Sequence, residues 1–335
     1  MATTSADYTP LPVVQVDLTG RTVLVVGSNT GLGYEAAKHL ARMNPKRLIG
    51  TCRTDEKCRA TEESIKKETD FNAVECWPLE LSSFSSVKAF VDRFERDGEG
   101  RLDIVLLNAG VAIFDYTVTE DGHETQVQIN YLSSALLSLL LVPTMLRTAE
   151  KTGRFSRLAL VSSRQHFRVS FDADNFPQTR SIVEVLDSEE YSTPENMSAK
   201  RYSQTKFLNI LFTRALQAHL PSDAPLVMTS VCPAFCVSDL LRHVNKGQYD
   251  EALKSARSAE EGSRQLILGT VGPQDGKEET MKGGYVSDNA VRDPSPWTFT
   301  EEGKQVQERL WKETLEILST VDARVTKAAE VYTKS

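Results

Sequence analysis

Tyr202-Ser203-Gln204-Thr205-Lys206 sets a phenol and an amine four residues apart, a spacing that puts both side chains on one face of a helix. A phenol ionises near pH 10, so it exchanges protons poorly at neutral pH unless a cation beside it stabilises the phenolate. Lys206 is such a cation. A YxxxK string alone carries little weight, because short strings recur by chance. Here it has company. Ser162-Ser163 closes an apolar run, and a hydroxyl at the end of a parallel strand can orient a carbonyl and stabilise charge on its oxygen.

Gly27-Ser28-Asn29-Thr30-Gly31-Leu32-Gly33 supplies a second chemistry. A chain that folds back sharply from strand to helix and lets a ligand reach the free N–H groups needs residues without a Cβ. The result is a pyrophosphate cradle, although a tight βα turn with no ligand would use the same glycines. Its spacing is GxxxGxG rather than the general GxGxxG. At the end of the second apolar run stands Cys52-Arg53-Thr54, where an arginine accommodates the 2′-phosphate of NADP and an acid would bond the ribose of NAD. Asp55 and Glu56 follow, so Arg53 as a locally paired surface charge is the alternative. Asn108-Ala109-Gly110 and Asn130 complete the set.

These groups need a scaffold, and the chain provides an alternation of short β runs with segments of helical period. Strands are expected over residues 21–26, 47–52, 73–79, 102–107, 155–162, 226–231 and 283–287, and helices over 32–43, 56–69, 83–96, 124–150, 201–219, 251–268 and 301–318. Alternation of this kind predicts an α/β fold, a single doubly wound parallel sheet with helices on both faces. Every group named above then falls at the C-terminal edge of the sheet, where open α/β folds bind ligands. Residues 164–200 break the pattern as an insertion before the Tyr202 helix. Residues 1–19 and 288–335 extend the one expected domain at its two ends.

Composition bounds the function. The chain has 335 residues, 40% hydrophobic and 25% charged, with a net charge of −7 and no basic block. Counterion release therefore gives nucleic acid no hold. Residues 132–145 are apolar but too short for the roughly 20 residues of a membrane span, and predict a buried helix. Met1 to Asp7 shows neither a signal peptide nor a myristoylation glycine. The five cysteines are odd in number and lack paired CxxC spacing, which speaks against a disulfide framework or a zinc site and for a reducing, cytoplasmic setting. No metal is expected. Cys232 and Cys236 read as small hydrophobes.

Taken in order, GSNTGLG, Leu107-Asn108-Ala109-Gly110, Asn130, Val161-Ser162-Ser163 and YSQTK resemble the short-chain dehydrogenase/reductase family, over roughly residues 20–290. Cys52-Arg53 and YSQTKFLNILF look most similar to its retinol-dehydrogenase-like and fungal secondary-metabolism branches. The resemblance implies Tyr202 as proton donor or acceptor, Ser163 (the second serine of the pair) polarising the carbonyl, and Lys206 lowering the tyrosine pKa and holding the nicotinamide ribose. It implies Asn130 anchoring a water in a proton relay. Glu80, between Leu79 and Leu81, stands where the family has an aspartate against the adenine. Pro233-Ala234 replaces the usual PG, and Ser238 matches a threonine that contacts the cofactor. Family resemblance also suggests a homodimer or homotetramer joined through the helices near 132–150 and 201–219, unless their apolar surface is buried internally.

Tyr202 stands 39 positions after Ser163, a far larger spacing than in simple family members. Phe167, Phe171, Phe176, Tyr191 and Met197 in this insertion, with Trp297, Phe299 and Trp311 beyond it, either roof an apolar pocket for a bulky substrate or cover the sheet edge as core. His166 offers a base, but the Tyr–Lys pair already fills that role. The expected activity is NADP(H)-dependent hydride transfer to a hydrophobic ketone or aldehyde, or from the corresponding alcohol. Alcohol oxidation with NAD(H) on the same site and a non-catalytic dinucleotide-binding module are the alternatives.

Overall fold

The computed structural model of the chain describes residues 12–243, 247, 250–273 and 277–332; the Met1–Asp7 expectation lies outside them. Largely buried apolar runs form β1 (Thr22–Val26), β2 (Arg47–Cys52), β4 (Ile104–Leu107), β5 (Ser156–Val161) and β6 (Leu226–Val231), the half-buried edge strand is β3 (Val74–Pro78), and the short β7 (Tyr285–Ser287) and β8 (Ala290–Arg292) follow. They make one sheet in the order β3-β2-β1-β4-β5-β6-β7-β8, parallel except where β8 turns back on β7. The expected α/β fold is the one observed. Because both faces of a parallel sheet are covered, its strands read as nearly unbroken apolar runs.

The chain winds outward from β1 to β3, then returns to lay β4 on the other side of β1, with Val26 opposite Leu107. This reversal opens a crevice at the C-terminal ends of β1 and β4. Helices α1 (Gly31–Arg42) and Ala259–Val271 cover one face. α3 (Phe84–Asp97), Ser133–Thr152 and Ala199–His219 cover the other. The span Thr125–Thr152 is long and apolar enough to cross a membrane, but 89% of its apolar window is buried inside the fold. It is the core helix that residues 132–145 predicted.

Four departures from expectation have local causes. The helix expected over 251–268 divides into Asp250–Leu253 and Ala259–Val271, because Val237 N–H bonds Arg257 O and Arg257 N–H bonds Phe235 O, both at 2.9 Å, while Ser258 and Glu261 form a capping box that starts the second piece afresh. β8 is an added strand, reached through Asp288 and Asn289 with φ of 48° and 66°, the left-handed values a tight hairpin requires. The insertion is ordered, with a 3₁₀ turn at Arg164–Arg168 and a helix at Ile182–Asp187. A second C-terminal helix, Ala323–Tyr332, follows Glu301–Val321.

Those two C-terminal helices change the reading of the long core helices. Tyr131 OH lies 2.5 Å from Thr314 Oγ1, Trp311 packs on Phe212 and stacks on His219, and Leu318, Val325 and Ala328 join the same core. The helices near 132–150 and 201–219 are thus covered by the chain itself, and the association surface suggested for them is not open. The insertion docks on the same layer: Arg309 donates to Phe176 O and Pro177 O, and Glu313 accepts from Ser181 Oγ and Ile182 N. Phe171, Phe176 and Met197 are each 1% exposed. They are core, not a lid. Of the insertion aromatics, Phe167 is the one left exposed.

Candidate active site

Gly27 leaves β1 with φ of 81°, and a Cβ on it would come within 2.8 Å of Ala109 Cβ. A Cβ on Gly33 would collide with Gly27 O and Asn108 Nδ2. The turn is latched from both neighbouring strands: Asn108 Nδ2 donates to Gly27 O at 2.9 Å, Gly27 N–H to Thr51 Oγ1 at 3.1 Å, and Ser28 N–H to Thr51 O at 3.0 Å. Thr30 caps α1 without a side-chain bond and no acid stands in the first turn. Free N–H groups and the positive end of the helix dipole therefore face the crevice, the requirement for a phosphate-bearing ligand. Thr51 is a functional residue that sequence reasoning missed, since nothing in a β run marks the one hydroxyl that meets the turn.

Around this cradle, Arg53 is exposed at the end of β2, and among the described residues no ion pair joins it to Asp55 or Glu56. Glu80 is half-buried and its Oε1 accepts from Ser82 N–H at 2.9 Å, closing a local turn, while Leu81 O accepts from Ser133 Oγ. Pro233 is buried and Ser238 half-exposed, with Ser238 Cβ 3.6 Å from where a Gly31 Cβ would stand. Asn29 and Leu32 fill the remainder of the turn.

Ser163 and Tyr202 meet at the end of β5. The Ser163 side chain stands close enough to the Tyr202 hydroxyl to act on it, favouring the phenolate, and Lys206 Nζ lies 5.7 Å from the centre of the Tyr202 ring. The neighbouring serine does something else: Ser162 is buried and donates to Lys206 O at 2.6 Å. Lys206 Nζ donates to Val161 O at 2.9 Å, and a Cβ on Gly110 would stand 3.3 Å from it and 3.1 Å from Asn130 Oδ1, so any larger residue there would crowd both side chains. Burial pushes the Lys206 ammonium down to about 8 and the Tyr202 phenol above its ordinary range. Asn130 sits in a π-helical turn, Gln128–Leu132, a distortion frequent at functional sites. Its Oδ1 accepts from Val111 N–H at 2.8 Å and its Nδ2 donates to Val111 O and Thr205 Oγ1. Its amide thus ties the chain after Gly110 to the Tyr202 helix.

His166 is fully buried between Ser163 O, 2.7 Å from Nδ1, and Ser295 N–H, which donates to Nε2 at 3.0 Å. Those partners fix the neutral tautomer with the proton on Nδ1, and burial pushes the ring down to about 4. It is a latch, not a base. One further pair escaped sequence reasoning: Arg201 Nη1 bonds Glu124 Oε2 at 2.9 Å with both side chains fully buried, and Glu124 also accepts from Gln126 N–H and Val127 N–H. It fixes the start of the Tyr202 helix to the start of Thr125–Thr152. No local signal links residues 77 positions apart.

The short chain dehydrogenase family model matches residues 21–168. A short chain dehydrogenase of Arthrobotrys oligospora is 31% identical over 319 residues, 91% of this chain and 94% of its own. The short chain dehydrogenase sol3 of Alternaria solani is 39% identical over 236 residues, 70% of this chain and 79% of its own. Among solved structures, salutaridine reductase from Papaver somniferum superposes with a TM-score of 0.59 at 20% identity, over 80% of this chain and 99% of that one. The Pseudomonas aeruginosa RhlG/NADP complex does so with a TM-score of 0.60 at 19% identity, over 81% and 95%. With its glycine turn, serine, tyrosine and lysine on one crevice of this sheet, the chain belongs to the short-chain dehydrogenase/reductase family of oxidoreductases.

Proposed function

We propose that this oxidoreductase is an NADPH-dependent reductase of hydrophobic ketones or aldehydes, reversible toward the corresponding alcohols, with Tyr202 as its acid and base. The observation that carries it is the convergence of the Ser163 and Tyr202 hydroxyls with buried Lys206 beside the phosphate-ready turn Gly27–Gly33. Bound there, a nicotinamide dinucleotide supplies or accepts the hydride. The free N–H groups at Thr30–Gly33 would hold its pyrophosphate, and the exposed guanidinium of Arg53 would hold a 2′-phosphate.

Ser163 donates its hydroxyl proton to the substrate oxygen and holds it beside Tyr202. Tyr202 gives its proton to that oxygen as negative charge develops on it, and takes the proton back in the oxidative direction. The nearby Lys206 ammonium stabilises the phenolate that remains. From its place beside Gly110, Lys206 would also hold the sugar next to the nicotinamide. Asn130 acts as a positioning residue, by fixing the Gly110 loop against Thr205. Phe167, at 50% exposure beside the Ser163 turn, and Phe235 and Val237, at 38% and 53% in the loop after β6, give the crevice an apolar rim suited to a hydrophobic substrate.

The test is NADPH and NADH consumption over a panel of hydrophobic ketones and aldehydes, with wild type, Tyr202→Phe and Arg53→Ala side by side. Turnover that collapses in Tyr202→Phe is expected; undiminished turnover refutes the acid–base role. A hydrogen bond to a charged phosphate contributes about 1.5–3 kcal/mol, so Arg53→Ala weakens NADPH about 10- to 100-fold and leaves NADH unchanged. Equal loss for both, or no loss, removes the case for NADP selection.

A further inference from the structure

Three cysteines that stand apart in sequence meet directly behind the glycine turn. Cys52 ends β2, Cys58 lies near the start of α2 (Asp55–Thr69) and Cys76 sits in β3. Their sulfurs lie within 4.8 Å of one another, with Cys52 and Cys76 3.2 Å apart. Cys52 and Cys58 are each 3% exposed. No histidine or carboxylate joins the set among the described residues. Gly50 keeps the space open, since a Cβ there would strike Ser28 Oγ and stand 3.6 Å from Cys76 Sγ.

We propose that Cys52, Cys58 and Cys76 form a three-thiolate site for one Cu(I) ion. The register opposes a disulfide between the two strand cysteines, Cys52 and Cys76. Cys52 is paired with Pro78 and Cys76 with Gly50, so the two cysteines are offset by two residues on adjacent parallel strands. A strand spacing near 4.8 Å and a rise near 3.3 Å per residue then put their Cα atoms about 8 Å apart, beyond the roughly 7 Å a disulfide spans. A metal bridges what a bond cannot. Metal–sulfur bonds of about 2.3 Å around a trigonal ion hold sulfurs about 4 Å apart, which the cluster accommodates.

Soft thiolates select Cu(I) or zinc. A structural zinc site is completed by a fourth ligand, which this set lacks, whereas three sulfurs satisfy Cu(I). On binding, the thiol protons leave to solvent as copper–sulfur bonds form, and nothing is oxidised. The positive end of α2 offsets the charge of the thiolates. Through Thr51, which holds Gly27 and Ser28, the ion fixes the end of β2 beneath the cradle.

The reduced full-length protein is titrated without oxygen with Cu(I) buffered by a competing chelator. One ion per chain with three sulfur neighbours by X-ray absorption is expected. Cys58→Ser and Cys76→Ser each weaken binding more than about tenfold, and Cys236→Ser, outside the cluster, keeps it. Alkylation mapped by mass spectrometry needs no variant: Cu(I) protects Cys52, Cys58 and Cys76 and leaves the protection of Cys232 and Cys236 unchanged. Uptake no tighter than in the Cys52/Cys58/Cys76→Ser triple variant, protection of a different set, or Zn(II) displacing Cu(I) at equal free concentration overturns the proposal.

Discussion

Replacing His166 with glutamine removes a group that the fold holds neutral, and the consequence is a change in how stability depends on pH. His166 is fully buried, and its two ring nitrogens are both committed, one to Ser163 O and the other to Ser295 N–H. A second proton on Nε2 would displace the Ser295 bond and place an uncompensated charge in the core. The folded value of about 4 lies below the ordinary 6.5. Its contribution is therefore fully present above pH 6.5 and is lost as pH falls through about 4. The gap corresponds to about 3 kcal/mol. Urea unfolding of wild type and His166→Gln between pH 7 and pH 4 isolates it, because the carboxylates that titrate over the same range are common to both. At pH 7 the variant is less stable by about 1–3 kcal/mol, from a buried partner left unpaired. Toward pH 4 that difference vanishes or reverses. A wild-type minus variant difference that stays constant with pH would refute a neutral latch.

Arg201→Met leaves Glu124 buried without its partner and is expected to destabilise the chain by about 3–5 kcal/mol; a loss under about 1 kcal/mol in urea unfolding would show that the pair does not anchor the Tyr202 helix. Ala234 occupies φ of 70°, where an L-residue is strained by about 1 kcal/mol, so Ala234→Gly should raise the melting temperature, and a lowered one would count against strain. Lys206, held at about 8 by burial against an ordinary 10.5, is protonated in the unfolded chain over that interval and neutral in the fold. Stability of the cofactor-free protein should thus gain from this group as pH rises from about 8 to 10.5, and Lys206→Met should lack that gain; parallel profiles would place the ammonium in solvent.

The long helices Ser133–Thr152 and Ala199–His219 are internal. Trp311, Leu318 and Val325 cover them, and the same C-terminal layer receives the insertion through Arg309 and Glu313. The added chain at both places therefore serves one packing problem before it serves a substrate, which is why the insertion aromatics are buried and Phe167, beside Ser163, is left to meet solvent.

The sequence alone determined the parallel sheet, the alternation of its strands with helices and the site motifs, because these depend on local period and on residues such as Gly27, Gly33 and the Tyr202–Lys206 pair, whose roles follow from backbone freedom and helical spacing. It also placed Ser163, Asn108 and the Pro233 loop at one edge, since a parallel sheet puts every strand end there. What the tertiary structure alone decided were meetings between distant positions. Thr51 against Gly27, Glu124 against Arg201, His166 against Ser295 and the three sulfurs of Cys52, Cys58 and Cys76 lie in unremarkable local sequence. They are brought together by strand order, register and the docking of the C-terminal helices, and those are set by burial summed over the whole chain rather than by any one segment.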